Sequence, residues 1–395
     1  MRSPDTMTLP QMRRQQARQL RQIEGYAQGG EGKINRERLQ KAIDRYLNSR
    51  TVRALAIAEA ERVGVEEIAA RANALRAEMD VSLPWDEALA NCCKNIRWNY
   101  RPKSTPGVRQ VCSLRTHLKA WNKIAKRLIE AIHSTKLHIA DWRGRGRDWQ
   151  IKRITDVLTR PGLSVVIADV TDAFASVQPD ALYQFLNLPD ALIRGALDAR
   201  SFTFSQNVEK SRDEVFSKYP LLRLPNSGMP PQGLMQGSPT SNAIFGVLFD
   251  DLPDQIPENL GCFAYCDNIV VVTEGGQSAQ SVSESLAEYF TRHPAGSFSL
   301  KSEIECLNTL GFDHLGYWFR WSHDRLRVAL SAKNTNLFYR SLEEPRENGL
   351  NGMDYVRSCF AACSQEAVDF YEMEASELAP IMSHSRSDQQ LPKHP

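Results

Sequence analysis

The stretch "FAYCDNIVVV" (263–272) constrains the fold of this chain more than any other. Two apolar runs flank the polar pair Asp267 and Asn268, and both residue types are well suited to a tight turn. The pattern therefore predicts a β-hairpin with this pair in its turn. Two interpretations are open. Asp267 either serves turn geometry alone or is presented by the hairpin to a metal ion.

A second carboxylate, that of Asp169, ends the short apolar segment "LSVVIADV" (163–170), which is typical of a buried strand. A buried charge without a partner is costly, so a metal ligand explains Asp169 better than a strand-end cap does. If both segments belong to one sheet, Asp169 and Asp267 converge on a common cation. Magnesium often takes one or two carboxylates together with substrate phosphates, so the pair predicts a Mg²⁺ site.

The order of the remaining segments predicts an α+β fold, with a sheet backed by helices. Residues 12–80 have apolar positions at helical spacing. "GSPTSNAIFGVLFDDL" (237–252) predicts a helix with Ser238 at its cap and Pro239 in its first turn. "LGYWFRW" and "LRVALS" predict a closing pair of strands, "RPKSTPGVRQV" a hairpin around Pro106 and Gly107, and the polar tail from about 375 predicts disorder.

Charge is distributed unevenly along the 395 residues, although the net charge is only +2. Residues 12–50 contain ten Lys and Arg and four acidic residues, and residues 136–153 contain six Lys and Arg and two acidic residues. Residues 341–380, by contrast, contain two Arg and nine acidic residues. The first half therefore offers a surface for a polyanion, while a solvated helix face explains residues 12–50 equally well. The eight Cys form no Cys-x-x-Cys pair, which argues against zinc.

No apolar stretch is long enough to span a bilayer, and the N-terminus lacks the pattern of a signal peptide. We therefore expect a cytoplasmic protein without a membrane partner.

Three segments, in this order, resemble the palm of reverse transcriptases. "DVTDAF" (169–174) resembles the first palm motif, "QGLMQGSPTSN" (232–242) the second, and "YCDN" (265–268) the tyrosine-x-Asp-Asp third motif. "SLKSEIECLNTLGFDHLGYWF" (299–319) is similar to the fourth and fifth motifs, "RPKSTPGVRQV" to the fingers hairpin, and "DWRGRGRDWQIKRITDVL" (141–158) to the basic segment before the palm. The chain looks most like the bacterial retron and defence-associated reverse transcriptases.

The resemblance implies a right-hand polymerase with a helical N-terminal extension (1–80) and fingers (81–160). A palm (161–325, with a fingers insertion at about 178–228) and a short helical thumb with a disordered tail (326–395) follow. It also implies an RNA-templated DNA polymerase that adds dNTPs to a 3′-hydroxyl, with Mg²⁺ or Mn²⁺ as cofactor. The expected partners are a template RNA, such as a dedicated noncoding RNA, and the DNA product. The acidic region after residue 340 suits self-association or a partner protein better than a duplex.

The resemblance also implies roles for individual residues. Catalysis is assigned to Asp169, Asp267 and Lys301, and metal binding to Asp169, Val170, Asp267 and Asn268. Nucleotide binding is assigned to Lys103, Arg109, Phe174, Gln236 and Gly237. Phe174 matches the aromatic residue that excludes a 2′-hydroxyl. Nucleic-acid binding is assigned to Arg143, Arg145, Arg147, Trp149, Gln232 and Gly233.

Each of these residues also has an ordinary structural explanation. Lys301, Lys103 and Arg109 fit exposed charges, Phe174 fits a core position, and Trp142 and Trp149 fit core tryptophans of a helix with basic flanks.

Asn268 departs from the family pattern, which has a second Asp at this position. Asn keeps an oxygen ligand but loses a charge. Two alternatives to an active reverse transcriptase therefore stay open. One is a catalytically decayed palm that acts as a nucleic-acid-binding or oligomerising scaffold. The other is an RNA-templated RNA polymerase, against which Phe174 argues.

Overall fold

The computed structural model describes residues 6–29, 35–61, 63–76, 83–103, 107–136, 138–207, 215–219, 232–257, 259–306, 311–322, 325–344 and 351–387. The fold is α+β, as the sequence predicts. It divides into two compact units, each assembled from three segments of the chain. The first unit comprises 1–136, 171–250 and 290–299, and the second comprises 137–170, 251–289 and 300–395.

The helices and strands have the following bounds. The helices are α1 (Leu9–Gln28), α2 (Arg36–Leu47), α3 (Arg50–Ala60), α4 (Ile68–Arg76), α5 (Trp85–Ala90), α6 (Thr116–Ile132), α7 (Arg147–Val157), α8 (Ala173–Ser176), α9 (Pro179–Phe185), α10 (Asp190–Leu192), α11 (Ser241–Leu248), α12 (Leu252–Gln255), α13 (Gly276–Arg292), α14 (Ala332–Glu343), α15 (Gly352–Cys359) and α16 (Gln365–Ser387). The strands are β1 (Asn95–Pro102), β2 (Val108–Ser113), β3 (Ser164–Thr171), β4 (Thr203–Gln206), β5 (Asn259–Tyr265), β6 (Asn268–Thr273), β7 (Ser299–Cys306), β8 (Phe312–His314), β9 (Tyr317–Ser322) and β10 (Arg325–Leu330).

The N-terminal helices of the first unit pack on α6. Apolar residues of α6 recur at helical spacing and are buried, among them Leu118, Trp121, Ile124 and Leu128. Polar contacts reinforce this packing, because Glu59 of α3 accepts a hydrogen bond of 2.6 Å from Arg127 of α6. Helices α1 to α4 confirm the helices predicted for residues 12–80 over the described part of that range.

A three-stranded sheet, in the order β2-β1-β4, completes the core of the first unit. β1 and β2 form the predicted antiparallel hairpin, closed by a hydrogen bond of 2.9 Å from the Lys103 amide to the Gly107 carbonyl. Pro106 of the predicted turn lies outside the described residues. The register places Arg101 opposite Arg109, so the hairpin carries two like charges side by side.

The second unit contains two sheets, in the orders β5-β6-β3-β7 and β10-β9-β8. One hydrophobic core joins them to the helices, with Val165 and Val270 from the first sheet, Phe319 from the second, and Phe338 and Phe360 from the helical segments. The predicted closing pair of strands is confirmed as the antiparallel pair β9 and β10. Among the described residues, no helix combines the length and apolar character needed to cross a membrane.

Two predictions from the sequence are wrong in detail. The helix predicted to be capped by Ser238 begins at Ser241; the Ser238 hydroxyl donates 2.5 Å to Oδ1 of Asn122 and accepts 3.2 Å from the Thr240 amide. The tail predicted to be disordered from about 375 continues as α16 to Ser387. Buried Ala367 and Tyr371 anchor the start of that helix in the core of the second unit.

Candidate functional site

The two predicted metal-binding segments are neighbours in the sheet of the second unit. β3 and β6 pair antiparallel, and Asp169 lies directly opposite Asn268. The Val170 amide donates a hydrogen bond of 3.1 Å to the Asp267 carbonyl, so Asp169 and Asn268 form the adjacent non-hydrogen-bonded pair. In such a pair the Cα atoms are roughly 4.5 Å apart, and the side chains lie on the same face of the sheet.

The turn that carries Asp267 differs from the predicted one by a single residue. Tyr265 pairs with Asn268, which leaves Cys266 and Asp267 as the two central residues, and Asn268 is the first residue of β6. Cys266 has a positive φ of 56°. This left-handed conformation costs a residue other than glycine on the order of 1 kcal/mol. The predicted Asp-Asn turn is therefore corrected to a Cys-Asp turn, with Asn268 held in the ladder.

Negative charge dominates the surroundings of this turn. Burial raises the pKa of the Cys266 thiol well above its usual value, and the charges of Asp267 and Asp141 raise it further. Burial and then Asp141 raise the pKa of Tyr265 to about 12. Both shifts keep the thiol and the phenol protonated near neutral pH.

Asp141 is a residue of this site that the sequence did not single out. Backbone hydrogen bonds of 2.9 Å, from Ala140 to Ala264 and from Ala264 to His138, attach its segment to β5. In the sequence Asp141 is the first residue of the basic segment 141–158, and no role is assigned to it there. Only the long-range pairing with β5 brings it to the hairpin.

The donors at this edge of the sheet are oxygen atoms: the carboxylates of Asp169 and Asp267, the carbonyl of Val170 and the side-chain amide of Asn268. Oxygen donors suit Mg²⁺ or Mn²⁺. Within the described ranges no group of three or more His, Cys, Asp or Glu is placed to hold a metal. Magnesium often combines one or two carboxylates with substrate phosphates, and these oxygen donors suit a cation bound in that way.

Lys301 lies on β7, the edge strand next to β3. Its side chain is exposed, as are most side chains of this strand. The neighbouring Ser302 hydroxyl forms a hydrogen bond of 2.7 Å with Ser283 of α13, which fixes the strand against that helix. Asp169, Val170, Asn268 and Lys301 thus belong to one sheet, and Asp267 lies in the turn between two of its strands.

Phe174 contacts the segment QGLMQGSPTSN (232–242), called the glycine motif below, within the first unit. The Phe174 ring is half-buried and stands edge-on against Phe245, with the ring centroids 5.1 Å apart. Its carbonyl accepts a hydrogen bond of 2.7 Å from the Leu234 amide. Gly233 is buried with a φ of +64°, and a Cβ there would stand 2.3 Å from the Phe174 carbonyl oxygen. Only glycine permits this close approach. Gln232 beside it is exposed.

The second half of the glycine motif is bound to the β1–β2 hairpin by a backbone hydrogen bond. The Cys112 amide donates a hydrogen bond of 2.8 Å to the Gln236 carbonyl. Gly237 has a φ of +99°, and a Cβ there would stand 2.7 Å from the Cys112 carbonyl oxygen. Asn122 of α6, a buried residue that the sequence did not indicate, accepts from the hydroxyls of Ser238 and Thr240 at 2.5 and 3.1 Å.

The cationic residues predicted for the triphosphate lie on or beside the β1–β2 hairpin. Lys103 forms an ion pair of 3.6 Å with Asp172, which has a positive φ of 47°. Arg109 is exposed opposite Arg101. Lys218 donates a hydrogen bond of 2.6 Å to the Lys103 carbonyl, so a further positive charge joins this group. Like charges directly opposite each other destabilise a hairpin, and a bound anion would offset that cost.

The basic segment before the palm-like sheet is largely engaged within the second unit. Arg145 lies over the Trp149 ring, 5.3 Å from its centroid, and donates 2.8 Å to the Ile139 carbonyl. Arg147 lies 4.3 Å from the Phe360 centroid. Arg143 is exposed, whereas Trp142 is buried, which matches the core explanation for Trp142.

No protein-family model matches this chain, and a search of curated proteins finds no match either.

Proposed function

We propose that the chain is a reverse transcriptase, an RNA-templated DNA polymerase with fingers, palm and thumb arranged as a right hand. One observation carries the proposal: Asp169 at the end of β3 lies directly opposite Asn268, beside the turn that holds Asp267. The segments that resemble the first and third palm motifs thus lie side by side, at the end of β3 and the start of β6, although they are about 100 residues apart in the sequence.

In the proposed reaction, the 3′-hydroxyl of a primer attacks the α-phosphate of a dNTP, and pyrophosphate leaves. Asp169, Asp267 and the Val170 carbonyl would hold Mg²⁺ or Mn²⁺, with Asn268 as a secondary ligand. The bound cations supply activation of the hydroxyl and neutralisation of charge on the phosphates. Lys301 would donate to the leaving pyrophosphate, and Lys103 and Arg109 would hold the triphosphate.

Selection of substrate and template follows from the other predicted residues. Phe174 would lie against the sugar and exclude a 2′-hydroxyl, which favours dNTPs over ribonucleotides. Gln232, Gly233, Gln236 and Gly237 would place the template base and the incoming nucleotide. We propose a noncoding RNA as template partner, and a role in a bacterial retroelement or in defence against phage.

The deciding experiment is a primer-extension assay on RNA templates and on nucleic acid that co-purifies with the protein. Wild type should incorporate dNTPs, and Asp169→Ala or Asp267→Ala should reduce incorporation by at least about a hundredfold at an unchanged melting temperature. Asp156→Ala is the matched control, because Asp156 is an exposed carboxylate of α7 outside the site. Equal incorporation by wild type and both site variants would refute the catalytic assignment.

The hydrogen bond between Asn268 and Asp267 favours a second candidate function. Nδ2 of Asn268 donates to Oδ1 of Asp267 at 3.0 Å, so the amide occupies a carboxylate oxygen that a metal would use. A decayed palm that holds RNA or oligomerises without synthesising DNA fits this arrangement. RNA binding without incorporation under Mg²⁺ or Mn²⁺ would support the scaffold.

A further inference from the structure

The first unit contains a cavity of about 360 Å³ that uses none of the residues assigned above. α3, α6 and the segment around α5 contribute its walls. Its lining consists of Arg53, Ile57, Leu83, Ala88, Asn91, Cys92, Cys93, Arg115, His117, Ala120, Trp121 and Ile124. The volume falls in the range of pockets that bind small molecules, about 300–1,000 Å³.

The cavity has an apolar floor and a polar rim. Ile57, Trp121 and Ile124 are buried, whereas Arg115 and His117 are exposed. The Trp121 ring is held from one side by Trp85, with centroids 6.5 Å apart and planes at 56°. An apolar wall with a fixed aromatic ring and a few polar groups is the usual composition of a site for a ring-containing ligand.

The electrostatics of the cavity favour an anion. The described residues of its lining include Arg53, Arg115 and His117, and none of these described lining residues is acidic. Arg53 is only 4% exposed, and burial, together with the charge of Arg50, lowers the pKa of its guanidinium. The arginine side chains that line the cavity favour an anion over a cation as its ligand.

The neighbouring acidic residue does not supply this negative charge to the cavity. Glu61 lies close enough to His117 for the two charges to interact. Both of its carboxylate oxygens, however, accept hydrogen bonds from the Arg71 guanidinium, at 2.7 and 2.8 Å. The carboxylate of Glu61 is therefore bound by Arg71, which lies outside the described lining of the cavity.

The backbone of α6 adds to the positive potential. Arg115 is the N-cap residue of this 17-residue helix, and its side chain makes no capping hydrogen bond. The first amide groups of a helix lack intrahelical acceptors, and the N-terminal end of the helix dipole favours negative charge. Arg115 and His117 therefore stand at the place on the rim where a phosphate would be stabilised most.

We propose that this cavity binds a nucleotide. The phosphate would contact Arg115, His117 and the first turn of α6, and the base would enter between Trp121 and the aliphatic floor above Arg53. Arginine suits this role, because its planar guanidinium binds phosphate oxygens through two parallel hydrogen bonds. This site does not depend on the proposed polymerase activity, and it gives the first unit a way to sense a free nucleotide.

Isothermal titration calorimetry on the full chain tests the proposal. The ligands are AMP, GMP, CMP and UMP, with the matching nucleosides and inorganic phosphate as comparisons. EDTA is present throughout, so that binding which needs a divalent cation at the carboxylates is suppressed. At least one monophosphate should bind about tenfold or more tightly than its nucleoside and than inorganic phosphate, because the charged contacts add to the apolar ones.

Variants then locate the binding. Arg115→Gln and His117→Ala should each weaken the affinity for that monophosphate, Arg115→Gln by about tenfold or more. Arg18→Gln, which changes an exposed arginine of α1, should bind as wild type does. Circular dichroism melts confirm that each variant is folded. The proposal is overturned if no monophosphate binds at millimolar concentration, or if both cavity variants bind as tightly as wild type.

Discussion

The side-chain amide of Asn268 donates a hydrogen bond of 3.0 Å to Oδ1 of Asp267, its neighbour in the β5–β6 hairpin. An aspartate in place of Asn268 would add a negative charge and could not donate from its ionised side chain. The hydrogen bond thus replaces what would be repulsion between two carboxylates. With asparagine at position 268, the metal-free turn is more stable than it would be with aspartate there. The same turn attracts a cation less strongly than the aspartate version would.

Asn268→Asp is therefore expected to lower the Mg²⁺ concentration at half-maximal rate by several-fold, because a second carboxylate strengthens the attraction for the ion. Asn268→Ala should reduce the rate less than Asp267→Ala does, since Asn268 is the secondary ligand. The measurement is a Mg²⁺ titration of single-nucleotide incorporation by wild type and the three variants. If only Asn268→Asp incorporates nucleotide, under Mg²⁺ or Mn²⁺, the natural site is decayed and the scaffold function replaces the polymerase.

Phe174→Val is expected to raise the use of ribonucleotides. The half-buried ring would stand beside the sugar, and a smaller side chain removes the steric barrier to a 2′-hydroxyl. The ratio of kcat/KM for ribonucleotide to that for deoxyribonucleotide should rise by about tenfold or more. Phe245→Leu is the control, since Phe245 is the buried partner of the Phe174 ring and should affect stability more than selectivity. An unchanged ratio would make Phe174 a core residue only.

Gly233→Ala is expected to destabilise the first unit by about 1–3 kcal/mol or more. Its φ is +64°, and the new Cβ would stand 2.3 Å from the Phe174 carbonyl oxygen, so the backbone of the motif must shift. Gly275→Ala is the control, because nothing lies within 4 Å of a Cβ there. Chemical denaturation of both variants gives the free energy of unfolding. Equal midpoints for Gly233→Ala and wild type would show that the motif tolerates a side chain.

Local patterns predicted the elements of this fold better than they predicted its details. Alternating and continuous apolar runs in the sequence are sufficient to predict the strands β3, β5 and β6 and the β9–β10 pair. The turn between β5 and β6 differs by one residue, because its register depends on cross-strand pairing, which a two-residue polar signal does not specify. Both Cys266 and Asp267 had to be compatible with the turn, and Cys266 gives no turn signal in the sequence.

The parts of the candidate site that the sequence missed depend on long-range contacts. Asn122 is one polar residue in an amphipathic helix, and its bonds to Ser238 and Thr240 join segments more than 110 residues apart. Asp141 reaches the hairpin only through pairing of its segment with β5.

Acid is expected to destabilise the second unit through His314 of β8. Burial lowers the pKa of this histidine to about 3, so it is neutral in the folded chain, whereas the unfolded chain takes up a proton near pH 6.5. The contribution of neutral His314 to the free energy of unfolding is therefore fully present above about pH 6.5. It is lost progressively as the pH falls from there towards 3, by up to about 1.4 kcal/mol per pH unit.

The comparison of wild type with His314→Gln isolates this contribution. Urea denaturation between pH 7.5 and pH 5 should show a shallower loss of unfolding free energy for the variant, because it cannot take up the proton. Other titrating groups are common to both proteins and cancel in the difference. Parallel curves over this range would show that His314 does not control the acid sensitivity.

Arg143 and Arg147 are expected to behave differently, although the sequence assigns both to nucleic acid. Arg143 is exposed, so Arg143→Gln should remove one phosphate contact and reduce the slope of log affinity against log salt by about 0.7 for single-stranded RNA. Arg147 lies over the Phe360 and Tyr317 rings and pairs with Asp148 at 3.4 Å. Arg147→Gln should instead lower the unfolding free energy, by about 1–2 kcal/mol.

The distinction has a physical reason in the Arg147 contacts. Oδ1 of Asp148 also accepts a hydrogen bond of 2.6 Å from the Tyr317 hydroxyl, so Arg147, Asp148 and Tyr317 form one network. Loss of the guanidinium leaves that network with an uncompensated charge. The measurements are RNA affinity at four or more salt concentrations and urea denaturation, for both variants. If Arg147→Gln instead reduced the slope of log affinity against log salt and left the unfolding free energy unchanged, Arg147 would be an RNA-binding residue without the structural role.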